Sequence, residues 1–261
     1  TTTGGTYSVP ATEQFSNGTH VYYRVRSIDS TDTLSDWSAT HDFFLPSHDV
    51  TDNGDGTASI EVDIDDLGLA NSFIEDSYSN QLSKNTKYGS VDVMETSVTS
   101  NKESLIHLRF NLGLLGLPSN ATILDAQVNL SRDSSSNNAL LSMHEMTPNQ
   151  WVESEVTWNR GSNSNGWSDG GRDFSSTASD TGINGSQFSS KFSFEFTDVL
   201  QTWVESGSTT SADFMITARG QNEAYSTIGT KSTVFYSSDV VDDAKKPAVS
   251  ITYAWGPSSP L

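Results

Sequence analysis

The chain has 261 residues, 34% of them hydrophobic and 10% aromatic, which suits one large or two smaller folded domains and not a disordered chain. Its 33 acidic and 14 basic residues give a net charge of −19, and that field disfavours nucleic acid as a partner because it repels a polyanion. With no cysteine, the chain can form neither a disulfide framework nor a thiolate nucleophile.

Residues 1–46 contain two runs of alternating residues, "HVYYRVRS" and "ATHDFFL", separated by the motif "SDWS". The alternation predicts two strands, with Tyr23 and Val25 facing inward together with Phe43 or Phe44. These motifs resemble the second half of a fibronectin type III domain, which implies a partial β-sandwich. We expect an adjacent copy or a partner chain to complete it by β-strand addition; docking onto the rest of the chain is the alternative.

Residues 47–66 are predicted to form a linker containing a hairpin that turns at "NGDG". The same turn offers Asp52, Asn53 and Asp55 as hard oxygen ligands. Because the spacing does not match an EF-hand, two interpretations stay open. One is a plain hairpin turn, and the other is a structural calcium site formed by these three residues.

Residues 67–261 are dominated by alternation with a period of two. "LIHLRFNL" places Ile106, Leu108 and Phe110 on an apolar face, with His107 and Arg109 on a polar face. The runs "DAQVNL", "KFSFEF", "ADFMITA" and "PAVSITY" repeat the pattern, and Gly, Asn and Ser clusters separate them. The pattern predicts an all-β, antiparallel β-sandwich.

One segment of this region has a helical period. In "TDVLQTWVESG" the apolar residues fall on one helical stripe. Thr197 or Asp198 is expected to cap the start of this short helix, and Gly207 to end it.

The stretch "WVESEVTWNRGSNSNGWSDGG", residues 151–171, contains both paired tryptophans and the pattern G-x-S-x-G. Its first part predicts a strand at a sheet edge, with Glu153 and Glu155 on the solvent side. Trp151 and Trp158 have two interpretations, structural residues at a corner of the fold or platforms that stack on sugar rings.

The pattern G-x-S-x-G does not predict a nucleophile elbow here, because no buried strand precedes it and no helix follows it. Ser168 is therefore expected in an exposed loop with no histidine within reach of its hydroxyl. The five histidines show no zinc-ligand spacing and are predicted to be solvated. Glu153 and Glu155 are not expected to face each other across a cleft, so the sequence predicts no enzyme activity.

Residues 71–253 contain seven short motifs that resemble those of the DNRLRE domain family in the family's own order. They are "NSFI", "TKYGS", "KESLIHLRFNL", "LPSNATILDAQVNL", "WVESEVTWN", "FEFTDVLQTWVESG" and "FYSSDVVDDAKKPAVSITY". The family includes carbohydrate-binding module family 96. The resemblance implies that residues 67–261 form a β-jelly roll, and that it is a polysaccharide-binding module of a secreted or cell-surface multidomain protein.

Members of that family that bind alginate use basic residues to meet its carboxylates. Carried over by position, the resemblance implies carbohydrate-binding roles for five residues: Lys84, Lys87, Tyr88, Lys102 and Arg109. Glu75 and Met94 stand where the family often has basic residues, so a neutral or calcium-bridged glycan fits the net charge of −19 better than alginate does. The resemblance also implies a structural calcium ion without locating it.

The sequence thus predicts a non-catalytic, extracellular polysaccharide-binding module whose partners include neighbouring domains or an adjacent chain. A structural or adhesive spacer with no glycan ligand remains the alternative. Four N-x-S/T sequons, at Asn17, Asn120, Asn129 and Asn184, are compatible with export.

Overall fold

The computed structural model describes residues 19–45, 50–63, 73–99, 102–136, 140–147, 150–167, 174–184, 190–207, 211–218 and 231–254. The chain divides into two compact units, Thr1–Ser47 and His48–Leu261. Within the described ranges, no helix has the length and apolar character needed to cross a membrane.

The smaller unit contains an antiparallel pair of strands, β1 (Thr19–Tyr23) and β2 (His41–Leu45). Tyr23 and Val25, which alternation predicts to face inward, are 46% and 60% exposed. The described residues of this unit supply no second layer that covers them, so their burial by an adjacent chain or by docking stays a prediction. The side chains of Phe43 and Phe44 lie outside the described part of the chain.

The larger unit has twelve strands in its described residues: β3 (Val50–Asp52), β4 (Thr57–Asp63), β5 (Ile74–Asn80), β6 (Val93–Thr99), β7 (Lys102–Phe110), β8 (Thr122–Ser136), β9 (Leu140–Met146), β10 (Phe174–Asn184), β11 (Lys191–Glu195), β12 (Ala212–Thr217), β13 (Lys231–Tyr236) and β14 (Ala248–Ala254). They form a large antiparallel sheet in the order β10-β9-β12-β7-β6-β13-β8-β14-β4-β3. In addition, β11 pairs with β8, and β5 pairs with β7. The prediction of a mostly β, antiparallel chain is confirmed.

Strand β8 joins the two halves of this order. Residues 122–131 of β8 pair with β14 and β11, whereas Arg132 and Ser136 pair with β13. A single strand of 15 residues therefore connects the group β3, β4, β14 and β11 to the group that contains β7.

The main core follows the predicted alternation. Phe192 and Phe194 of β11 are buried and its Lys191, Ser193 and Glu195 are exposed. Ile106, Leu108 and Phe110 of β7 join the same cluster.

The other face of β7 is also covered, which the sequence analysis did not predict. A second apolar cluster contains Leu105, Met146, Trp151, Val156, Trp158, Trp167 and Met215. His107 on this face is fully buried, and the Arg109 side chain is 13% exposed. The predicted polar, solvated face is therefore wrong, because residues 151–167 lie over it.

Helix α1 (Thr197–Ser206) confirms the predicted helix and its end. Gly207 has a left-handed φ of 61°, and its N–H donates to the Val204 carbonyl at 3.1 Å. The predicted capping role of Thr197 or Asp198 is wrong, since the N-cap residue is Phe196 without a side-chain cap. The Thr197 hydroxyl instead accepts the Ala126 N–H at 2.9 Å, tying the helix to β8.

The predicted hairpin at "NGDG" is present between β3 and β4, with φ of 76° at Gly54 and 88° at Gly56. Strand β4 pairs along its length with β14. The region expected as a linker, 47–66, therefore supplies strands to the sheet of the larger unit.

Candidate functional site

Residues 151–167 form a hydrogen-bonded loop, not the predicted edge strand. The Val156 N–H donates to the Val152 carbonyl at 2.8 Å, and the Trp167 indole N–H donates to the Thr157 carbonyl at 2.9 Å. Trp151 and Trp158 are 1% and 5% exposed. Indoles this deeply buried are not accessible to a sugar, so the structural interpretation is confirmed for both.

Arg109 connects this loop to the sheet. Its guanidinium makes a bidentate pair with Asp213, at 2.7 and 3.1 Å, and a second ion pair with Glu75 at 2.7 Å. It also donates to the Trp151 carbonyl at 2.8 Å, and its Cζ lies 4.8 Å from the centroid of that indole. All partners come from the protein, so the predicted role of Arg109 as a solvent-facing ligand group is not what the geometry shows.

Arg109 stays charged although its side chain is largely buried. Burial by itself lowers the pKa of Arg109, but the hydrogen bonds and negative charges of Asp213 and Glu75 raise it overall. Asp213 is fully buried. A buried carboxylate of this kind requires a partner, and Arg109 provides it.

Glu153 also lies in an unexpected position. Its Oε1 accepts the backbone N–H of Asp76 at 3.2 Å, and Asp76 Oδ2 accepts the Ser238 N–H at 2.7 Å. Burial raises the pKa of Asp76 to about 8 and that of Glu153 to about 7. The prediction that Glu153 faces solvent is wrong, because its carboxyl satisfies an N–H of the strand β5.

The companion glutamate, Glu155, is half-buried and accepts the Asn163 N–H at 2.7 Å. Each of the two glutamates thus accepts a backbone N–H from a different segment. This arrangement fastens the loop and does not set a pair of carboxyls face to face.

Two of the histidines predicted to be solvated are buried. His107 Nε2 lies 2.9 Å from the Ser79 hydroxyl, and His144 Nε2 lies 2.9 Å from the Ser142 hydroxyl. Burial lowers the pKa of His107 to about 3, so its ring is neutral at physiological pH. Ser168 lies outside the described residues, and its predicted environment stays a prediction.

Four of the five predicted carbohydrate-binding residues lie on the loop of residues 81–92 or at the start of β7. Lys84 and Lys87 are exposed on the loop of residues 81–92, and Tyr88 of that loop stacks on Tyr78 with ring centroids 4.0 Å apart. Lys102 is exposed at the start of β7. We call Lys84, Lys87, Tyr88 and Lys102 the lysine–tyrosine rim.

Hydrogen bonds keep Lys102 beside the loop. The Gln81 N–H donates to the Glu103 carbonyl at 2.9 Å, and the Glu103 N–H donates to Gln81 Oε1 at 3.1 Å. Lys102 therefore lies beside the start of this loop, which carries the other two lysines of the rim, Lys84 and Lys87. None of the three forms an ion pair with another described residue.

The loop of the lysine–tyrosine rim is also fastened to residues 151–167. The Asn159 side chain donates to Asn85 Oδ1 at 2.8 Å. A Cβ added to Gly89 would lie 2.0 Å from the Glu153 carbonyl oxygen, so only glycine permits this approach. The Arg109 network and the rim are thus connected through one loop.

The oxygen atoms of the predicted calcium site make local hydrogen bonds. Asp52 Oδ1 accepts the Gly54 N–H at 2.8 Å, and Asp55 Oδ1 accepts the Thr57 hydroxyl at 2.6 Å, a bond that lowers the pKa of Asp55. The Asn53 amide donates to the same hydroxyl at 2.9 Å. In the described ranges, no three His, Asp or Glu side chains form a group suited to a metal ion. Calcium at this turn stays a prediction.

Sequence reasoning missed the carboxylates of the Arg109 network. One available signal was Asp213, an acidic residue inside the apolar run "ADFMITA", because buried carboxylates are rare unless they are paired. No protein-family model matches this chain, and no curated protein matches it.

Proposed function

We propose that this chain is a non-catalytic carbohydrate-binding module of an extracellular multidomain protein, and that its larger unit is a jelly-roll β-sandwich. The observation that carries the proposal is the lysine–tyrosine rim. It contains three exposed lysines and a tyrosine that stacks on Tyr78, in a chain whose net charge is −19.

The chemistry of the rim favours a carboxylate-bearing, alginate-like polysaccharide over a neutral one. Lysine ammonium groups donate up to three hydrogen bonds each and attract carboxylates, while a tyrosine ring packs against the C–H face of a sugar. Arg109 does not contribute, since its guanidinium is already paired with Asp213 and Glu75.

The jelly-roll assignment rests on two supports. The motifs that resemble the DNRLRE family occur in the family's order, and the antiparallel pairing order is joined through one long strand, β8. Such a strand can pass between two packed layers, as in sandwich folds.

A titration with oligouronates of defined length tests the proposed function. The variant Lys84→Gln/Lys87→Gln/Lys102→Gln should weaken binding at least about tenfold, or about 1.4 kcal/mol. The matched control, Lys191→Gln/Lys245→Gln/Lys246→Gln, makes the same change in net charge elsewhere and should bind within about twofold. Equal losses in the two variants would show that only net charge matters and would contradict a site at the rim.

A structural or adhesive spacer is the second candidate, and the smaller unit favours it. Tyr22, Tyr23, Val25, Ile28 and Leu34 are each at least 46% exposed, as expected for a sheet that an adjacent chain completes. Sedimentation of the full chain tests this candidate. Concentration-dependent association without any glycan binding would support the spacer.

Calcium is proposed only for the turn that contains Asp52, Asn53 and Asp55. Thermal unfolding of the full chain in calcium and in chelator tests it, because a ligand that binds the native state raises the melting temperature. Asp55→Asn should remove any such increase, and an equal increase in that variant would place the ion elsewhere.

A further inference from the structure

The smaller unit holds two arginines against an exposed tryptophan. The Cζ atoms of Arg26 and Arg24 lie 4.4 and 5.5 Å from the centroid of the Trp37 ring. Both arginines are exposed, and Trp37 is 51% exposed. All three side chains of the cluster are therefore exposed to solvent in the single chain.

Backbone hydrogen bonds fix this arrangement. Val25, which lies between the arginines, accepts the Ser38 N–H at 2.8 Å, and its own N–H donates to the Ser38 hydroxyl at 3.0 Å. Ser38 follows Trp37 directly, so the indole is held beside the arginines. The local backbone pairing thus brings the segment of the two arginines beside the segment of Trp37.

Within the described part of the chain, no carboxylate pairs with either of the two guanidiniums. Neither Arg24 nor Arg26 forms an ion pair or a hydrogen bond through its side chain with any other described residue. They are the two basic residues in residues 1–47, against five acidic residues. In so acidic a chain, two cations held together without a carboxylate constitute an available site for an anion.

Stacking leaves the hydrogen-bonding capacity of a guanidinium intact. A guanidinium over an indole uses its flat face, whereas its N–H groups point outward in its plane. Those groups match the two oxygens of a carboxylate in a bidentate pair. Two such groups at one indole suit a ligand that carries repeated carboxylates.

Exposed aromatic residues accompany the two arginines in the chain. Tyr22 alternates with Tyr23 and so is expected on the side of Arg24 and Arg26, and it is 68% exposed. Tyrosine and tryptophan rings provide apolar surface with a polar tip, which fits the C–H faces and hydroxyls of a sugar.

We propose that Arg24, Arg26, Trp37 and Tyr22 form a second binding site, on the smaller unit, for a carboxylate-bearing polysaccharide such as a polyuronate. The choice of a polysaccharide rests on the function proposed for the larger unit. The site itself rests on the unneutralised guanidiniums.

Isothermal titration of the full chain with a short oligouronate tests this site, because a short ligand occupies each site separately. The wild-type chain should show two sites, and Arg24→Gln/Arg26→Gln should lose one of them. Arg24→Lys/Arg26→Lys keeps the charge but removes the planar fork, and it should weaken that site at least about fivefold. Circular dichroism checks that each variant keeps its fold.

The rim variant Lys84→Gln/Lys87→Gln/Lys102→Gln separates the two proposals. If it loses all binding and Arg24→Gln/Arg26→Gln binds as the wild type does, the second site is refuted and the proposed function stands. If the arginine variant alone abolishes binding, the second site stands and the rim is refuted. Two other outcomes overturn the second site. In one, the wild-type chain binds no oligouronate. In the other, Arg24→Gln/Arg26→Gln changes the self-association of the chain instead of its oligouronate binding.

Discussion

Two arginine–tryptophan contacts of similar geometry have opposite environments in this protein. The Cζ of Arg109 lies 4.8 Å from the ring of Trp151, and that of Arg26 lies 4.4 Å from the ring of Trp37. Trp151 is 1% exposed, whereas Trp37 is 51% exposed. Two carboxylates pair with Arg109, and none of the described residues pairs with Arg26.

The difference shows that an arginine–tryptophan contact does not by itself determine whether the arginine has a structural or a ligand-binding role. At Arg109, buried carboxylates and a covering loop make the cation part of the structure, because an unpaired charge there would be costly. At Arg26 the same stack stays in water, where it contributes little to stability and its donors remain available. Substitutions should therefore have large effects on folding at the first contact and small ones at the second.

The largest effect is expected from Arg109→Met. Removing the guanidinium leaves the fully buried Asp213 without its bidentate partner, which costs about 3 to 5 kcal/mol of unfolding free energy. Chemical denaturation of the full chain measures the loss. Lys102→Met, on the same strand but exposed, is the control and should change stability by no more than about 0.5 kcal/mol. A similar loss in both variants would contradict the structural role of Arg109.

The carboxyls beside this network predict a dependence of stability on pH. The folded-state pKa of Asp76 is raised to about 8 and that of Glu153 to about 7, both by burial. A raised pKa means that the folded state holds a proton that the unfolded state has released. The resulting stability is therefore fully present below about pH 4 and is lost as the pH rises through about 8.

The other charges around these two carboxyls are Glu75, Arg109, Asp239 and, near Asp239, Asp92 and Lys246. Since Asp76 is 1% exposed, raising the pH from 5 to 9 should cost on the order of 2 to 4 kcal/mol. Asp76→Asn should reduce this dependence, and the exposed control Glu61→Gln should retain it. An unchanged pH profile in Asp76→Asn would show that another group is responsible.

A smaller effect is expected at the contact between the rim loop and the loop of Trp151. The Cβ of Gly89→Ala would lie 2.0 Å from the Glu153 carbonyl oxygen, so the backbone must move, at a cost of about 1 to 3 kcal/mol. Thermal unfolding measures this cost. Gly166→Ala is the matched control, because its Cβ would meet no atom within 4 Å. We also expect Gly89→Ala to weaken oligouronate binding, since the loop carries Lys87 and Tyr88.

The smallest effect on stability is expected from Trp37→Ala. Because half of this side chain is exposed, its removal should change the unfolding free energy by no more than about 0.5 kcal/mol while removing the second oligouronate site. Denaturation and titration of the same sample measure both properties. A loss of unfolding free energy above about 2 kcal/mol would show that Trp37, like Trp151, is a structural residue. It would contradict the difference drawn between the two arginine–tryptophan contacts.

Local signals in the sequence were sufficient to predict individual elements of the fold. Alternation located the buried phenylalanines of β11, glycine located the end of α1, and "NGDG" located the β3–β4 turn. Each of these depends on neighbouring residues, whose spacing fixes which side of a strand or helix they share. The resemblance to a known family brought Lys84, Lys87, Tyr88 and Lys102 together as candidates.

The tertiary structure alone decided the second face of β7 and with it the role of Arg109. Alternation showed that His107 and Arg109 share a side of the strand, but not that residues 151–167 cover that side. Asp213 is 104 residues from Arg109, and β12 brings the two together only by pairing with β7. The sequence determined which residues face the same way, and long-range pairing determined whether that side meets water or protein, because burial depends on segments that are distant in the chain.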